Sequence, residues 1–161
     1  MADRARAELI REFLGMLKEH FQDTLCSVCL YGSVARDEAK SESDIDLLVV
    51  ADGLSQDLGL RYRETNDIRL RLKSKSSYKR LRMKRICPLI SDLYLTPEEV
   101  ERHPPILLDL VEDGVILYDR EDFLKRVLDD IRRMTELGSR RVDRRYWILA
   151  PHAKFGEEIR I

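Results

Sequence analysis

The sequence predicts a single-domain α/β (α+β) protein with a mixed β-sheet and helices packed against it. The 161 residues suffice for one domain with a hydrophobic core, and no internal repeat or clear linker divides them. Apolar residues recur at helical spacing near the N-terminus, and two short apolar runs follow, separated by a polar turn. We expect one domain over residues 1–161, with its core over about 5–118 and a C-terminal helix and tail over about 119–161.

The first elements are predicted from the spacing of apolar side chains. Those between residues 9 and 21 repeat every three or four positions with charged residues between them, which predicts an amphipathic helix. The run Leu25–Tyr31 favours a strand, and Gly32 then permits a tight turn before a short helix over 34–40. The second strand is predicted over 44–51. If the two strands are adjacent and antiparallel, the end of the first meets the start of the second.

Helices and strands alternate in the predictions for the rest of the chain. Thr96-Pro97-Glu98-Glu99 is typical of a helix start, because a Thr cap is followed by Pro and, three residues after the cap, by Glu. Gly114 and Gly138 are typical of helix ends. The other predicted elements are a long basic helix within 55–85, a strand over 88–95, a short helix over 105–111, a strand over 115–118, a helix over 122–137 and a last strand over 146–149.

The net charge of -1 hides a separation of charge along the chain. Residues 61–85 contain eleven Lys and Arg against two acidic residues, whereas residues 96–130 contain eleven acidic residues against four basic ones. The basic segment could face phosphates, RNA or an acidic partner, or simply be a solvated helix face. Only Tyr62 and Tyr78 interrupt it, so it lacks the regular aromatic residues of an RNA-stacking surface.

Cysteine usage and hydropathy indicate a cytoplasmic protein. No run of about 18 apolar residues predicts a membrane span. An odd number of cysteines, three, favours a reducing compartment. Cys26 and Cys29 are three apart on a predicted strand, so alternation puts them on opposite faces, and we interpret all three cysteines as apolar packing rather than as zinc ligands.

Asp44 and Asp46 are the strongest indication of function. They are two residues apart at the start of a predicted strand, so both carboxylates project from the same face. Two like charges this close repel strongly in a partly desolvated site. Oxygen ligands suit Mg²⁺, which usually binds together with the phosphates of a nucleotide. The pair therefore predicts a site for one or two Mg²⁺ ions, although a turn residue and a helix cap beside a strand would give the same pattern.

Further candidate ligands lie on either side of the pair. Ten residues separate Gly32 and Ser33 from Asp44, and their backbone NH groups and hydroxyl could hold a triphosphate at the start of the next helix. Arg36 is an additional phosphate ligand or a solvated helix residue. Asp92 lies in an apolar strand, where a lone charge is costly unless it is paired or binds metal. We expect it to be a third metal ligand and proton acceptor if its strand lies beside the second; hydrogen bonding to a turn is the alternative.

The stretch from Leu30 to Val50, with Gly-Ser followed after ten intervening residues by Asp-Ile-Asp on an apolar strand, resembles the nucleotidyltransferase superfamily of DNA polymerase β. More narrowly, it resembles the minimal nucleotidyltransferases, over roughly residues 25–96. The resemblance implies a polymerase β-like fold and Mg²⁺-dependent transfer of a nucleoside monophosphate from an NTP to a hydroxyl, with release of pyrophosphate. Gly32 and Ser33 would then bind the triphosphate, and Asp44, Asp46 and Asp92 would bind the metal.

The resemblance also implies a donor and a partner. Some minimal nucleotidyltransferases adenylylate a helical HEPN ribonuclease toxin and thereby act as antitoxins, so ATP is the expected donor and a protein hydroxyl the expected acceptor. Two alternatives remain open: a binding module that neutralises a partner by contact alone, and transfer to a small molecule such as an antibiotic. The sequence also leaves homo-oligomerisation open.

Overall fold

The computed structural model describes residues 2–135, 140–143 and 146–148. Within them the strands are β1 (Leu25–Tyr31), β2 (Ile45–Ala51), β3 (Ile90–Leu95), β4 (Val115–Asp119), β5 (Arg140–Asp143) and β6 (Tyr146–Ile148). The helices are α1 (Ala2–Phe21), α2 (Gly32–Ala35), α3 (Leu58–Glu64), α4 (Asn66–Ser74), α5 (Ser76–Met83), α6 (Pro97–Glu101), α7 (Ile106–Asp113) and α8 (Phe123–Thr135). The predicted helix end at Gly138 and the tail after Pro151 lie outside the described residues.

A four-stranded mixed sheet with the order β3-β2-β1-β4 forms the centre of the fold. β1 pairs antiparallel with both β2 and β4, whereas β2 and β3 are parallel. The predicted fold class, a mixed sheet with helices against it, is confirmed, and so is the antiparallel pairing of the first two strands. β5 and β6 form a separate antiparallel pair; β5 is not among the predicted elements.

Helices cover both faces of the sheet. On one face the helices α1, α4 and α5 pack on the strands, and the buried side chains include Leu9, Phe13, Leu17, Ile68 and Leu81. On the other face α6, α7 and α8 pack on the strands with Val100, Leu107, Leu110, Leu124 and Leu128. Burial of this apolar surface on both sides stabilises the sheet at about 25 cal/mol for each Å² removed from water.

The basic segment forms three helices rather than the one long helix predicted for it. A straight helix of 25 residues would be about 38 Å long, which exceeds the roughly 30 Å diameter of a small domain. Extended backbone at Lys75 separates α4 from α5 and lets both pack against α1. The first piece, α3, turns Arg61 inward, where its guanidinium binds the Glu99 carboxylate through two contacts of 2.7 and 2.8 Å.

Of two local predictions, one is confirmed and the other is wrong. The predicted helix start is confirmed, because Thr96 and Glu99 form a reciprocal capping box at α6. The prediction that Cys26 and Cys29 face opposite sides is wrong. Both pack in the apolar layer under α7 and α8, because the register of β1 shifts between Leu25 and Ser27 and breaks the alternation.

No helix in the described part of the chain combines the length and apolar character needed to cross a bilayer.

Candidate active site

A row of three side chains crosses the sheet where β1 ends and β2 begins. Tyr31 at the end of β1 is the register partner of Asp46 on β2, and Ser91 on β3 is the partner of Asp46 on the other side. Register partners on neighbouring strands project to the same face. Asp44 lies just before β2, two residues from Asp46. The structure therefore brings the Asp pair to the end of β1, as the sequence predicts.

Gly32 allows the turn after β1 to pack directly on the Asp46 carboxylate. Its φ of +73° lies in the left-handed region that residues with a side chain rarely adopt. A Cβ placed on Gly32 would lie 3.1 Å from Asp46 Cγ and would overlap Asp46 Oδ2. The absence of a side chain at Gly32 is therefore what permits this close approach.

The charge of Asp44 opposes the ionisation of Asp46. Burial, and then the charge of Asp44, raise the pKa of Asp46 above its ordinary value. A hydrogen bond from Ser91 and the charge of Arg36 act in the opposite direction. Burial and this repulsion together outweigh that support, so a cation bound between the carboxylates would stabilise the ionised form of Asp46.

The donors at this end of the sheet suit Mg²⁺ that is shared with a ligand. Asp44 and Asp46 offer the oxygen atoms that Mg²⁺ prefers, and this ion is commonly bound by one or two carboxylates together with substrate phosphates. Across the residues described, no group of three or more His, Cys, Asp and Glu is arranged to hold a metal ion. Two carboxylates are as many protein ligands as Mg²⁺ commonly takes when water and substrate phosphates supply its other oxygens.

Tyr31 and Asp109 are neighbours of the Asp pair that the sequence analysis does not single out. Burial raises the pKa of Tyr31 to about 12, and the charges of Asp46, Asp109 and Asp44 contribute in that order. Asp109 of α7 is therefore close enough to Tyr31 for its charge to act there. Its position depends on how α7 packs over the sheet, so no local motif could have identified it. Tyr31 could have been found from the predicted antiparallel pairing of the first two strands. It is the last residue of the first strand, so this pairing puts it beside the start of the second, where the Asp pair lies.

Ser33 and Arg36 lie directly after the glycine turn. Ser33 is in the first turn of α2, and Arg36 follows its last residue. The Arg36 guanidinium binds Glu38 (Nε–Oε2 3.1 Å) and Asp113 of α7 (Nη1–Oδ2 2.9 Å), and so connects this turn to α7. Its effect on the pKa of Asp46 also puts it close to the pair. Phosphate binding by Ser33 and Arg36 stays a prediction.

The structure does not bring Asp92 to the other two aspartates. β3 lies beside β2 as expected, but the register partner of Asp92 is Leu47, so its side chain projects from the face opposite to Asp46. There Arg69 binds Asp92 Oδ1 at 2.6 Å, and the Tyr94 hydroxyl donates to Asp92 Oδ2 at 2.6 Å. The expectation of a third metal ligand at Asp92 is therefore corrected, because its buried charge is balanced by an arginine instead.

Contacts from two sides hold the loop that carries Asp44. The buried Arg6 of α1 donates from Nη2 to the carbonyl oxygens of Lys40 and Ser43. Where the loop enters β2, the backbone NH of Ile45 donates to the carbonyl of Leu89 at 2.9 Å. These contacts fix the path of the backbone into β2, and with it the position of the Asp pair.

Comparison with known proteins identifies the family of this chain. Residues 10–160 match the family model of the nucleotidyltransferase domain. The chain belongs to this family. A Methanocaldococcus jannaschii protein, "Putative protein adenylyltransferase MJ1305", is 30% identical over 134 residues, which span 82% of this chain and 84% of that protein. The predicted resemblance is confirmed, and the protein is a nucleotidyltransferase.

Two solved structures are similar to this chain at low sequence identity. A "putative nucleotidyltransferase" from Sulfolobus solfataricus has a TM-score of 0.49 and 22% identity, covering 74% of this chain and 88% of its own. A Shewanella oneidensis MNT antitoxin in complex with its tri-AMPylated HEPN toxin gives a TM-score of 0.44 and 15% identity, covering 85% and 92%. Both scores lie below 0.5, so neither likeness carries an inference about function.

Proposed function

We propose that this nucleotidyltransferase moves AMP from ATP to a hydroxyl group on a partner protein and releases pyrophosphate. One observation carries the proposal: Asp46, with Asp44 beside it, packs against the turn at Gly32. Acidic donors are thereby adjacent to a turn whose NH and hydroxyl groups can hold phosphates. The name of the M. jannaschii relative, a protein adenylyltransferase, supports AMP as the transferred group and a protein as the acceptor.

Mg²⁺ fits the donors of this site, and Asp44 and Asp46 would hold it. When bound, the ion would neutralise charge on the triphosphate and on the departing pyrophosphate. The chain's own contribution is to hold the carboxylates in position. Gly32 packs on one side of Asp46, and Ser91 donates a hydrogen bond to it. Arg6 fixes the loop before Asp44.

The triphosphate would bind at the turn between β1 and α2. Gly32 and Ser33 would donate backbone NH groups and a hydroxyl to it. Arg36 would add a positive charge, since a guanidinium has five N–H donors and its contacts with Glu38 and Asp113 leave some of them for a phosphate. Those two carboxylates would also keep the guanidinium oriented before the nucleotide binds. Asp92 has no part in this proposal.

A helical protein of the HEPN type is the partner that we propose, so that the chain would act as an antitoxin. The support is the sequence resemblance to minimal nucleotidyltransferases, some of which modify such toxins. We also propose a cytoplasmic location, because all three cysteines are free thiols and the reducing cytoplasm preserves that state.

The experiment uses ATP labelled on either its α- or its γ-phosphate, with Mg²⁺, the chain and the product of its neighbouring gene. We expect the α-label to reach the partner protein and the γ-label to leave as pyrophosphate. The variant with Asp44→Asn and Asp46→Asn should transfer neither label. Transfer of the γ-label would show phosphorylation instead, and neutralisation of a toxic partner that survives the double substitution would show that contact alone suffices.

A further inference from the structure

A surface cleft beside β3 lies outside the site described so far. It has a volume of about 390 Å³ and is lined by Tyr62, Arg63, Asn66 and Arg69 from α3 and α4. The Tyr62 hydroxyl donates to the backbone carbonyl of Asp92 at 3.2 Å, and Arg69 lies against the Tyr62 ring, 5.1 Å from its centre. These contacts hold the cleft against the first half of β3.

The position of the cleft relative to the Asp pair suggests its use, and this step rests on the proposed function. Gly32 and Ser33, the proposed triphosphate ligands, lie at the end of β1, and β3 lies on the other side of β2 from β1. In phosphoryl transfer the attacking and leaving oxygens are roughly in line with the phosphorus. If pyrophosphate leaves toward β1, the acceptor hydroxyl must arrive from the β3 side. The cleft follows the outer edge of β3. Its Arg69 binds Asp92 on the face opposite to Asp46, but its Tyr62 hydroxyl lies at the edge itself, on the Asp92 carbonyl. After burial and the three aspartates, Tyr62 also contributes to the raised pKa of Tyr31, on the face of Asp46.

The side chains of the cleft combine positive charge with exposed apolar surface. Among the residues described, the Arg63 guanidinium has no ion-pair partner, whereas Arg69 is matched by the buried Asp92. The rim is apolar: Leu58, four residues before Tyr62 on α3, is 55% exposed, and Leu70, four residues after Asn66 on α4, is 54% exposed. Residues four apart lie on the same side of a helix, so these leucines extend the surface of the cleft.

We infer that this cleft docks an acidic polypeptide segment of the acceptor protein, so that the acceptor hydroxyl reaches the Asp pair around the outer edge of β3. The unmatched charge of Arg63 and the wider basic segment, 61–85, favour a negatively charged partner. The exposed leucines favour a polypeptide over RNA. Single-stranded RNA needs successive stacking aromatic rings, and of the two tyrosines in this segment Tyr62 is exposed while Tyr78 packs against the core.

Peptide binding by the full chain tests this inference without nucleotide. The probe is a fluorescent 15-residue peptide with one central Tyr flanked by Glu and Gly, and the comparison peptide has Lys in place of Glu. Two variants carry the same charge change. Arg63→Glu lies in the cleft, whereas Arg82→Glu lies outside it, on the exposed side of α5 in the same basic segment. Circular dichroism verifies that both variants are folded.

We expect the acidic peptide to bind at least about tenfold more tightly than the basic one, because charge-assisted hydrogen bonds discriminate by about this much. Arg63→Glu should weaken it about tenfold, and Arg82→Glu less than about threefold, because Arg82 would contribute only long-range attraction. Equal losses in both variants would overturn the assignment to the cleft. Unchanged peptide binding in Arg63→Glu would also overturn it. So would a 15-nucleotide RNA that binds more tightly than the acidic peptide and no longer binds to Arg63→Glu.

The outcome is separable from that of the proposed function. Calorimetry of Mg·ATP binding to the Arg63→Glu variant should match the unmodified chain, because Arg63 is outside the proposed nucleotide site. If Mg·ATP binds but the peptides do not discriminate, the docking surface is wrong and the proposed function stands. If the unmodified chain binds no Mg·ATP, the proposed function fails, whatever the peptides do.

Discussion

Alanine at Gly32 is a sharp test of the site, because Gly53 provides a matched control. Both glycines have a φ of +73°, so alanine at either position carries a similar backbone strain of about 1–2 kcal/mol. They differ in what the new Cβ would meet. At Gly53 nothing lies within 4 Å, whereas at Gly32 the Cβ would overlap the Asp46 carboxylate. The difference between the two variants therefore isolates the contact with Asp46.

The expected effect follows from the geometry of that contact. Ordinary van der Waals contact of a Cβ begins at 3.4 Å, so Asp46 Oδ2 would have to withdraw by about 1 Å. A misplacement of about 1 Å at reacting groups can slow a reaction about 100-fold. We therefore expect Gly32→Ala to slow AMP transfer about 100-fold and to weaken Mg·ATP binding, and Gly53→Ala to retain both.

Two measurements check this prediction. Urea unfolding should show a similar loss of stability in both variants, and transfer of the α-phosphate label, with Mg·ATP affinity from calorimetry, should separate them. Activity of Gly32→Ala within about twofold of the unmodified chain would refute the reasoning. An equal loss of activity in Gly53→Ala would do so too, because it would assign the effect to backbone strain.

Three further predictions concern charged residues. Arg61→Ala should lower the free energy of unfolding by about 2–4 kcal/mol, because the buried guanidinium binds Glu99. Arg71→Ala removes an exposed ion pair and should change the free energy of unfolding by less than about 1 kcal/mol. Equal effects of the two substitutions in denaturant unfolding would contradict this. Asp46→Asn should abolish Mg·ATP binding but raise the thermal midpoint at neutral pH. The pKa of Asp46 is raised in the folded chain, so its ionised carboxylate destabilises the fold at neutral pH, and this destabilisation disappears as the pH falls through that pKa. A lowered thermal midpoint in the variant would count against this reasoning. Asp92→Asn should destabilise the fold by weakening the contact with Arg69 but leave Mg·ATP affinity unchanged; a folded variant without affinity would make Asp92 a ligand after all.

The parts of the fold that the sequence predicts best are those set by local pattern. β1 has the predicted bounds, Leu25–Tyr31, because a short apolar run ends at a glycine. The capping box at Thr96 was readable because its two hydrogen bonds join residues three apart. The contact of Gly32 with the Asp pair could also be predicted, since one short connection joins two strands that pair antiparallel.

The face on which Asp92 lies could not be predicted, because it depends on strand register. A shift of one residue between β2 and β3 would move Asp92 to the side of Asp46. Nothing in the local sequence fixes that register. In the structure this register puts Asp92 on the side of the sheet where Arg69, 23 residues earlier in the chain, forms an ion pair with it. The break of the basic segment at Lys75 is likewise set by packing against α1 rather than by a local stop signal.

Calorimetric titration of the chain with ATP, in the presence and absence of Mg²⁺, tests the central claim most directly. We predict that ATP binds in the presence of Mg²⁺, and that Asp44→Asn and Asp46→Asn each abolish this binding while the variants stay folded. ATP binding of equal strength without Mg²⁺, or in either variant, would contradict the assignment of the two carboxylates as the metal-binding pair.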